Sequence, residues 1–362
     1  MSDSVSKRNI SFDILKIISM LLVVVVHATS ASAGTADVMF PSFDAKYYLT
    51  YLIRAFSFVA VNCFVMITGY FMCTSKEISY KKLIRLWITV ETYSLGIYLA
   101  LCFVPFTSTQ FSIKEFLFNA LPISMSRYWF MTSYFILYLL APFLNKLINS
   151  LDKELYKKLL LICFIVFICV PSINPFGDNV YMHSGFSFCW FVVLYLFAAY
   201  VRLYPVKELP YGLLFFAFIA ATYASMLVFD IAASHFDLSG TIFNKNPRFN
   251  SILVFAASVC LFMFFKNKNV GGGGKTSKAI TKISSLTLAV YLIHEHQYMS
   301  QIIWNKIVRL ADFQNDQLMF CARLLLAIIA IFVICIIVEL FRSSLYDFVK
   351  KLLLKTKNKT AG

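Results

Sequence analysis

The sequence predicts an all-α polytopic membrane protein of about ten transmembrane helices, with both termini cytoplasmic. Three observations carry this. Hydrophobic residues are 60% of the 362 and charged residues only 14%, with a mean hydropathy of +0.74, whereas soluble chains carry about 25% charged residues. The apolar residues fall in runs of roughly 16–24, suited to a ~30 Å hydrocarbon core. The Lys and Arg residues gather on alternate sides of those runs. With the N-terminus inside, 23 fall in cytoplasmic segments or at the inner ends of spans and 7 in outer segments, while Lys16, Arg54 and Arg323 are counted within spans. That asymmetry is the positive-inside pattern. It also explains the net charge of +15 as a topology signal, and no nucleic-acid partner is expected.

The first segment, 12–30 (FDILKIISMLLVVVVHATS), is too long for the apolar part of a cleavable signal, and no small-residue cleavage site clearly follows it. It reads as a retained helix. The second segment, 52–73, holds Arg54 towards its outer end, and the third, 86–106, holds Glu91 a little inside. The fourth, 128–149, follows Arg127 and opens on Tyr128-Trp129. Segments 159–173, 187–204, 211–229 and 251–266 are read from apolar length, the first and last of these being short. The ninth, 283–303, contains His294-Glu295-His296, and the tenth covers 318–341. The chain thus divides into an integral-membrane part, 1–341, and a basic amphipathic tail, 342–362, expected on the anionic inner leaflet. The outer loops at 31–51, 107–127, 174–186 and 230–250 leave room for a substrate mouth but not for a soluble catalytic domain. The nine cysteines are scattered without a CxxC pair and read as small core residues.

Ionisable residues inside a span are functional candidates by default. Lys16 and His27 are eleven helical steps apart, roughly 20° from three whole turns, so they share a face about 16 Å apart along the axis. Asp13 lies on the same stripe, one turn before Lys16. His27 is placed in the outer half of its helix, and its imidazole suits a base or nucleophile near neutrality. Lys16 and Asp13 read either as an anion site at the inner mouth or as a snorkelling lysine with an i, i+3 partner. Arg54 and Arg127 suit an oxyanion or an acidic sugar, and equally an interfacial anchor. Trp129 is an interfacial belt aromatic or a sugar-stacking face. Glu91 reads as a partner for Lys16 or another bundle cation. His294 and His296 lie about 200° apart around a regular helix, so no joint metal site is expected. His294, with Tyr291 and Tyr298 at i−3 and i+4, is placed to line a site. Gly271–Gly274 before Lys275-Thr276 is not a phosphate loop, since Asn269 stands where that loop needs glycine and no strand precedes it. It reads as a flexible cytoplasmic loop.

At these residues the chain resembles the acyltransferase-3 family, the integral-membrane O-acyltransferases that modify bacterial sugars. The spacing of Lys16 and His27 in SFDILKIISMLLVVVVHA matches the family's basic-x10-His signature, with the preceding aspartate. VNCFVMITGYFM (Val61–Met72) is similar to the family's stretch ending in Ser-Gly-aromatic, with Thr68 in place of serine. Lys82-Leu-Ile-Arg85 resembles its cytoplasmic basic-x-x-Arg element. Tyr128–Ile148 resembles a pattern of the branch that acetylates surface polysaccharides and the enterobacterial common antigen, and AVYLIHEH (Ala289–His296) its Tyr-Leu-Ile/Leu-His. No periplasmic hydrolase-like domain is appended, and the histidine cluster is richer than usual. The resemblance implies a multi-pass enzyme of the bacterial cytoplasmic membrane. Its donor is acetyl-CoA as co-substrate, with no resident cofactor, and its acceptor a hydroxyl of a cell-envelope glycan or lipid-linked sugar. It implies His27, with Lys16 and Asp13, as catalytic. Lys82 and Arg85 would bind the phosphates of acetyl-CoA (or serve only as positive-inside charge), with Arg54, Arg127, Trp129, Glu91 and His294 lining the acceptor path. A pantetheine arm is roughly as long as the Lys16–His27 separation. His27 acts either as acyl carrier or as general base. A lipid-linked-oligosaccharide flippase or other transporter, and a polysaccharide polymerase, are the competing readings. The acceptor sugar and the oligomeric state are left open.

Overall fold

The computed structural model describes residues 9–30, 43–107, 109–173, 183–236, 248–268, 270 and 273–360. Asn269, Gly271 and Gly272 and much of the outer loops fall outside the described residues. Fourteen α-helices can be followed among them: α1 Ile10–Ala28, α2 Ala45–Ser57, α3 Val59–Met72, α4 Tyr80–Cys102, α5 Ile113–Ala120, α6 Trp129–Ser150, α7 Lys153–Phe164, α8 Val170–Ile173, α9 Phe188–Leu203, α10 Tyr211–His235, α11 Ile252–Asn267, α12 Gly274–His294, α13 Gln297–Gln301 and α14 Gln317–Thr360. No strand occurs among the described residues. Six helical stretches are long and apolar enough to cross a membrane, and α9 and α11 are shorter apolar helices. The charged residues of α4 and α12, such as Lys82, Arg85, Lys275 and Lys282, lie towards their N-terminal ends.

Local chemistry sets the helix starts. Asn9 accepts from Ser11 N at 2.9 Å to cap α1, and Asp44 accepts from Tyr47 N at 2.9 Å to cap α2. Asp152 caps α7 and Ser187 caps α9 in the same way. Each cap satisfies an amide that the first turn leaves without a partner. Several boundaries differ from the sequence reading. The second segment begins seven residues earlier, at Ala45, and passes Phe58 with little interruption. The ninth segment is not one helix. Glu295 ends α12, His296 takes an extended ψ of 127°, and the chain restarts as α13 and a π-helical stretch, Ile302–Val308. The tail is helical but runs on from the tenth span without a break, as the second half of the 44-residue α14.

The helix α1 is the spine of the bundle. It packs on α2, α3, α11, α12 and α14. Its first half gives Phe12 and Leu15 to a core built on α3, α9 and α11. Its second half gives Met20, Val23, Val24, Val25 and Ala28 to a core shared with α12 and α14. The first core closes on a polar network. Asn62 donates to Phe249 O at 2.8 Å and Ser258 Oγ at 3.1 Å, and accepts from Trp190 Nε1 at 2.9 Å. There α3 and α9 approach closely, since a Cβ built on Gly69 would stand 2.9 Å from Tyr195 Cα. Small residues permit such backbone approach between membrane helices.

Helices α1 and α12 run parallel, joined near both ends of α1. Ser284 Oγ donates to Asp13 Oδ1 at 2.8 Å, and Thr281 Oγ1 to Asp13 Oδ2 at 3.3 Å. At the other end His27 meets His294. This gives Asp13, 2% exposed, helix-joining contacts, and at ~1.5 Å per residue it lies about 21 Å along the axis from His27.

Candidate active site

His27 occupies the last turn of α1 and His294 the last turn of α12. Past His27, the helix end is tied off by hydroxyls: Thr29 Oγ1 donates to Val25 O at 2.8 Å and Ser30 Oγ to His27 O at 2.7 Å. The Arg54 guanidinium donates to Thr29 O and lies over the Phe58 ring. A cation at a helix C-terminus is favourable. Arg54 thus holds the helix end that carries His27.

The ring contacts assign the protons. Val290 O sits against His294 Nδ1, and a carbonyl only accepts, so His294 Nδ1 carries hydrogen and its Nε2 a lone pair. His27 Nδ1 lies 2.8 Å from that Nε2 and 3.1 Å from Glu295 Oε2. Facing the His294 lone pair, with the Glu295 carboxylate nearby, His27 Nδ1 is the nitrogen that carries hydrogen. The lone pair of His27 is therefore on Nε2. The arrangement is a relay in which Val290 O orients His294 and His294 orients His27, as an outer partner orients a general base. Tyr291 packs 6.4 Å from the His27 ring and 5.7 Å from Tyr128, whose hydroxyl donates to Leu292 O at 3.0 Å. Tyr291 Oη is buried with no hydrogen-bond partner among the described residues.

The three donor-type side chains His27, His294 and Glu295 bring ligand atoms within 4.8 Å of one another. His27 Nδ1 and His294 Nε2, at 2.8 Å, are spaced to share a proton. Two nitrogens on a tetrahedral zinc stand roughly 3.4 Å apart, from Zn–N bonds of about 2.1 Å. His296 turns elsewhere, its Nε2 3.0 Å from Ser94 O.

A cleft of about 650 Å³ reaches this cluster at Glu295. Lys114, Glu115 and Phe118 of α5, Arg127, and Gln297, Ser300 and Gln301 of α13 line it. Arg127 Nη2 bonds Glu115 Oε2 at 2.6 Å, with its guanidinium 4.8 Å over Phe118.

A model of family 3 acyltransferases, described as an acyltransferase domain, matches residues 9–340. The chain belongs to the acyltransferase-3 family. No curated protein and no solved structure gives a match. With its apolar helices, this family member is a multi-pass membrane acyltransferase.

Within this acyltransferase-3 fold the candidates from sequence separate into groups. His27 and His294 come together, and Arg54 lies just beyond them. Arg127 lines the cleft. Lys16 is half-buried on α1, about 16 Å from His27 along the axis. Lys82 and Arg85 are exposed at the start of α4. Trp129 packs among Phe186, Phe191 and Phe249 rather than on the cleft, with Phe186 at 4.8 Å. Glu91 Oε2 is buried without a hydrogen-bond partner among the described residues. Sequence reasoning passed over Glu295. Its place beside His27 comes from the packing of α1 on α12, which the motif AVYLIHEH does not encode.

Proposed function

We propose that this acyltransferase moves an acetyl group from cytoplasmic acetyl-CoA to a hydroxyl of a cell-envelope sugar, across a bacterial cytoplasmic membrane spanned about ten times with both termini inside. The observation that carries the reading is the 2.8 Å contact of His27 Nδ1 with His294 Nε2, from which the His27 tautomer is inferred. With Nδ1 directed at His294 Nε2, the lone pair is left on Nε2 as the reacting atom. Lys16 lies on the same helix, towards the side that the Lys/Arg distribution makes cytoplasmic. The cleft meets the cluster from the opposite side, lined by donors suited to sugar hydroxyls: Lys114, Arg127, Gln297, Ser300 and Gln301.

The donor enters from the inside. Its phosphates meet fixed cations, Lys82 and Arg85 at the surface and Lys16 deeper in. The pantetheine arm extends along α1 and brings the thioester to His27. His27 Nε2 then either attacks the thioester carbonyl, expelling CoA as thiolate, or takes the proton of the sugar hydroxyl as that oxygen attacks. The purified protein with radiolabelled acetyl-CoA and no acceptor decides between these, since label recovered on His27 marks the carrier route. Label transferred to envelope glycan supports the enzyme, and full transfer by His27→Ala would sink both routes.

A further inference from the structure

We propose that Glu295 is the base for the acceptor half of the reaction. This rests on the reading of His27 as the acyl carrier. Glu295 sits where α12 stops, between His27 and the cleft. Oε2 is 3.1 Å from His27 Nδ1, and the residue forms part of the wall of the outer cleft. Of the side chains on that wall, Lys114, Arg127, Gln297, Ser300 and Gln301 present donors or neutral groups, none of them a base near neutrality. Two carboxylates remain. Glu115 is bonded to Arg127 at 2.6 Å, which leaves Glu295 as the carboxylate that both faces the cleft and touches the carrier.

A nucleophile and a separate base serve the two halves of such a transfer. Once His27 Nε2 holds the acyl group, that nitrogen has no lone pair with which to accept a proton. His294 has both ring nitrogens engaged, Nε2 with His27 and Nδ1 with Val290 O, and it is not among the residues that line the cleft. An acceptor hydroxyl in the cleft therefore passes its proton to Glu295 as its oxygen attacks the acyl carbon. The O–H bond breaks, the new O–C bond forms, and the C–Nε2 bond breaks with its electron pair returning to His27. Glu295 releases the proton to water in the cleft, and the CoA thiolate from the first half takes one from the cytoplasm. The sum is thioester plus alcohol giving ester plus thiol.

The test uses the full-length protein in proteoliposomes with labelled acetyl-CoA, and ethanol and the much more acidic trifluoroethanol as acceptor probes. Because Glu295 stands beside His27, Glu295→Gln should slow His27 labelling somewhat, but transfer to ethanol should fall roughly 10²–10³-fold, the scale of a general base, and far more than the labelling does. Its loss with trifluoroethanol should be at least roughly tenfold smaller, because an acidic hydroxyl needs less help in losing its proton. Glu295→Asp, which keeps the carboxylate, should restore part of the ethanol rate. Equal losses with the two alcohols, or His27 labelling that falls as far as transfer, would overturn the assignment and leave Glu295 as a mere prop for His27. If instead His27→Ala still transfers label while Glu295→Gln shows the alcohol-dependent loss, the carrier reading fails and Glu295 stands as the base.

Discussion

His27 and His294 meet nitrogen to nitrogen at 2.8 Å, although 267 residues of chain separate them. Each closes the last turn of its helix. The contact ties the orientation and tautomer of the ring at one helix end to the other helix.

Replacing His294 with Ala should therefore slow turnover by roughly 100-fold, within the range of a general acid–base contribution, with little change in KM for acetyl-CoA. His294→Asn, whose shorter side chain lacks the ring, should recover little. Steady-state kinetics in proteoliposomes read the split. A raised KM at unchanged kcat would contradict the relay.

Asp13 is expected to act on stability. Asp13→Ala leaves the Ser284 and Thr281 hydroxyls without their acceptor, at a cost of roughly 1–3 kcal/mol for a buried group. Thermal unfolding in detergent should show a lower midpoint. A double-mutant cycle with Ser284→Ala should show that the two losses are not additive.

Gly69→Ala should disturb the α3–α9 contact. The added Cβ would stand 2.9 Å from Tyr195 Cα and 3.0 Å from its carbonyl oxygen, both backbone atoms that cannot swing aside. Overpacking of this kind costs roughly 1–3 kcal/mol. The variant should melt earlier while labelling of His27 at low temperature persists.

Lys82→Ala and Arg85→Ala should each raise KM for acetyl-CoA roughly two- to fivefold, the scale of an exposed ionic contact. The effect should shrink in high salt as screening shortens the reach of these charges. Titrating KM against ionic strength for the parent and both variants measures it. A parent KM insensitive to salt would remove these residues from the donor site.

Much of the fold was legible because bilayer spans follow from apolar length. The seventh segment, read as 211–229, corresponds to α10 at Tyr211–His235. The break after His294 was not legible. Neither Glu295 nor His296 is a helix breaker, and the chain turns there while His296 reaches Ser94 of α4, far away in sequence. The Lys16–His27 stripe needs only one helix and could be counted from spacing. The grouping of His27 with Glu295, like the bonding of Asp13 to two unremarkable hydroxyls on α12, depends on which helices become neighbours, and no local pattern encodes that. Trp129 shows the same limit. Its place at a span end was readable, but its packing among Phe186, Phe191 and Phe249 was not.

The parallel pairing of α1 with α12 also bears on when the enzyme becomes competent. A ribosome delivers the N-terminal helix to the membrane first, so His27 is inserted while the helix that carries His294 and Glu295 has yet to be made. Through most of synthesis the nascent chain holds its reactive imidazole without the neighbours that orient it. On the proposed roles, a chain that ends before residue 294 would carry His27 without the partner that orients it.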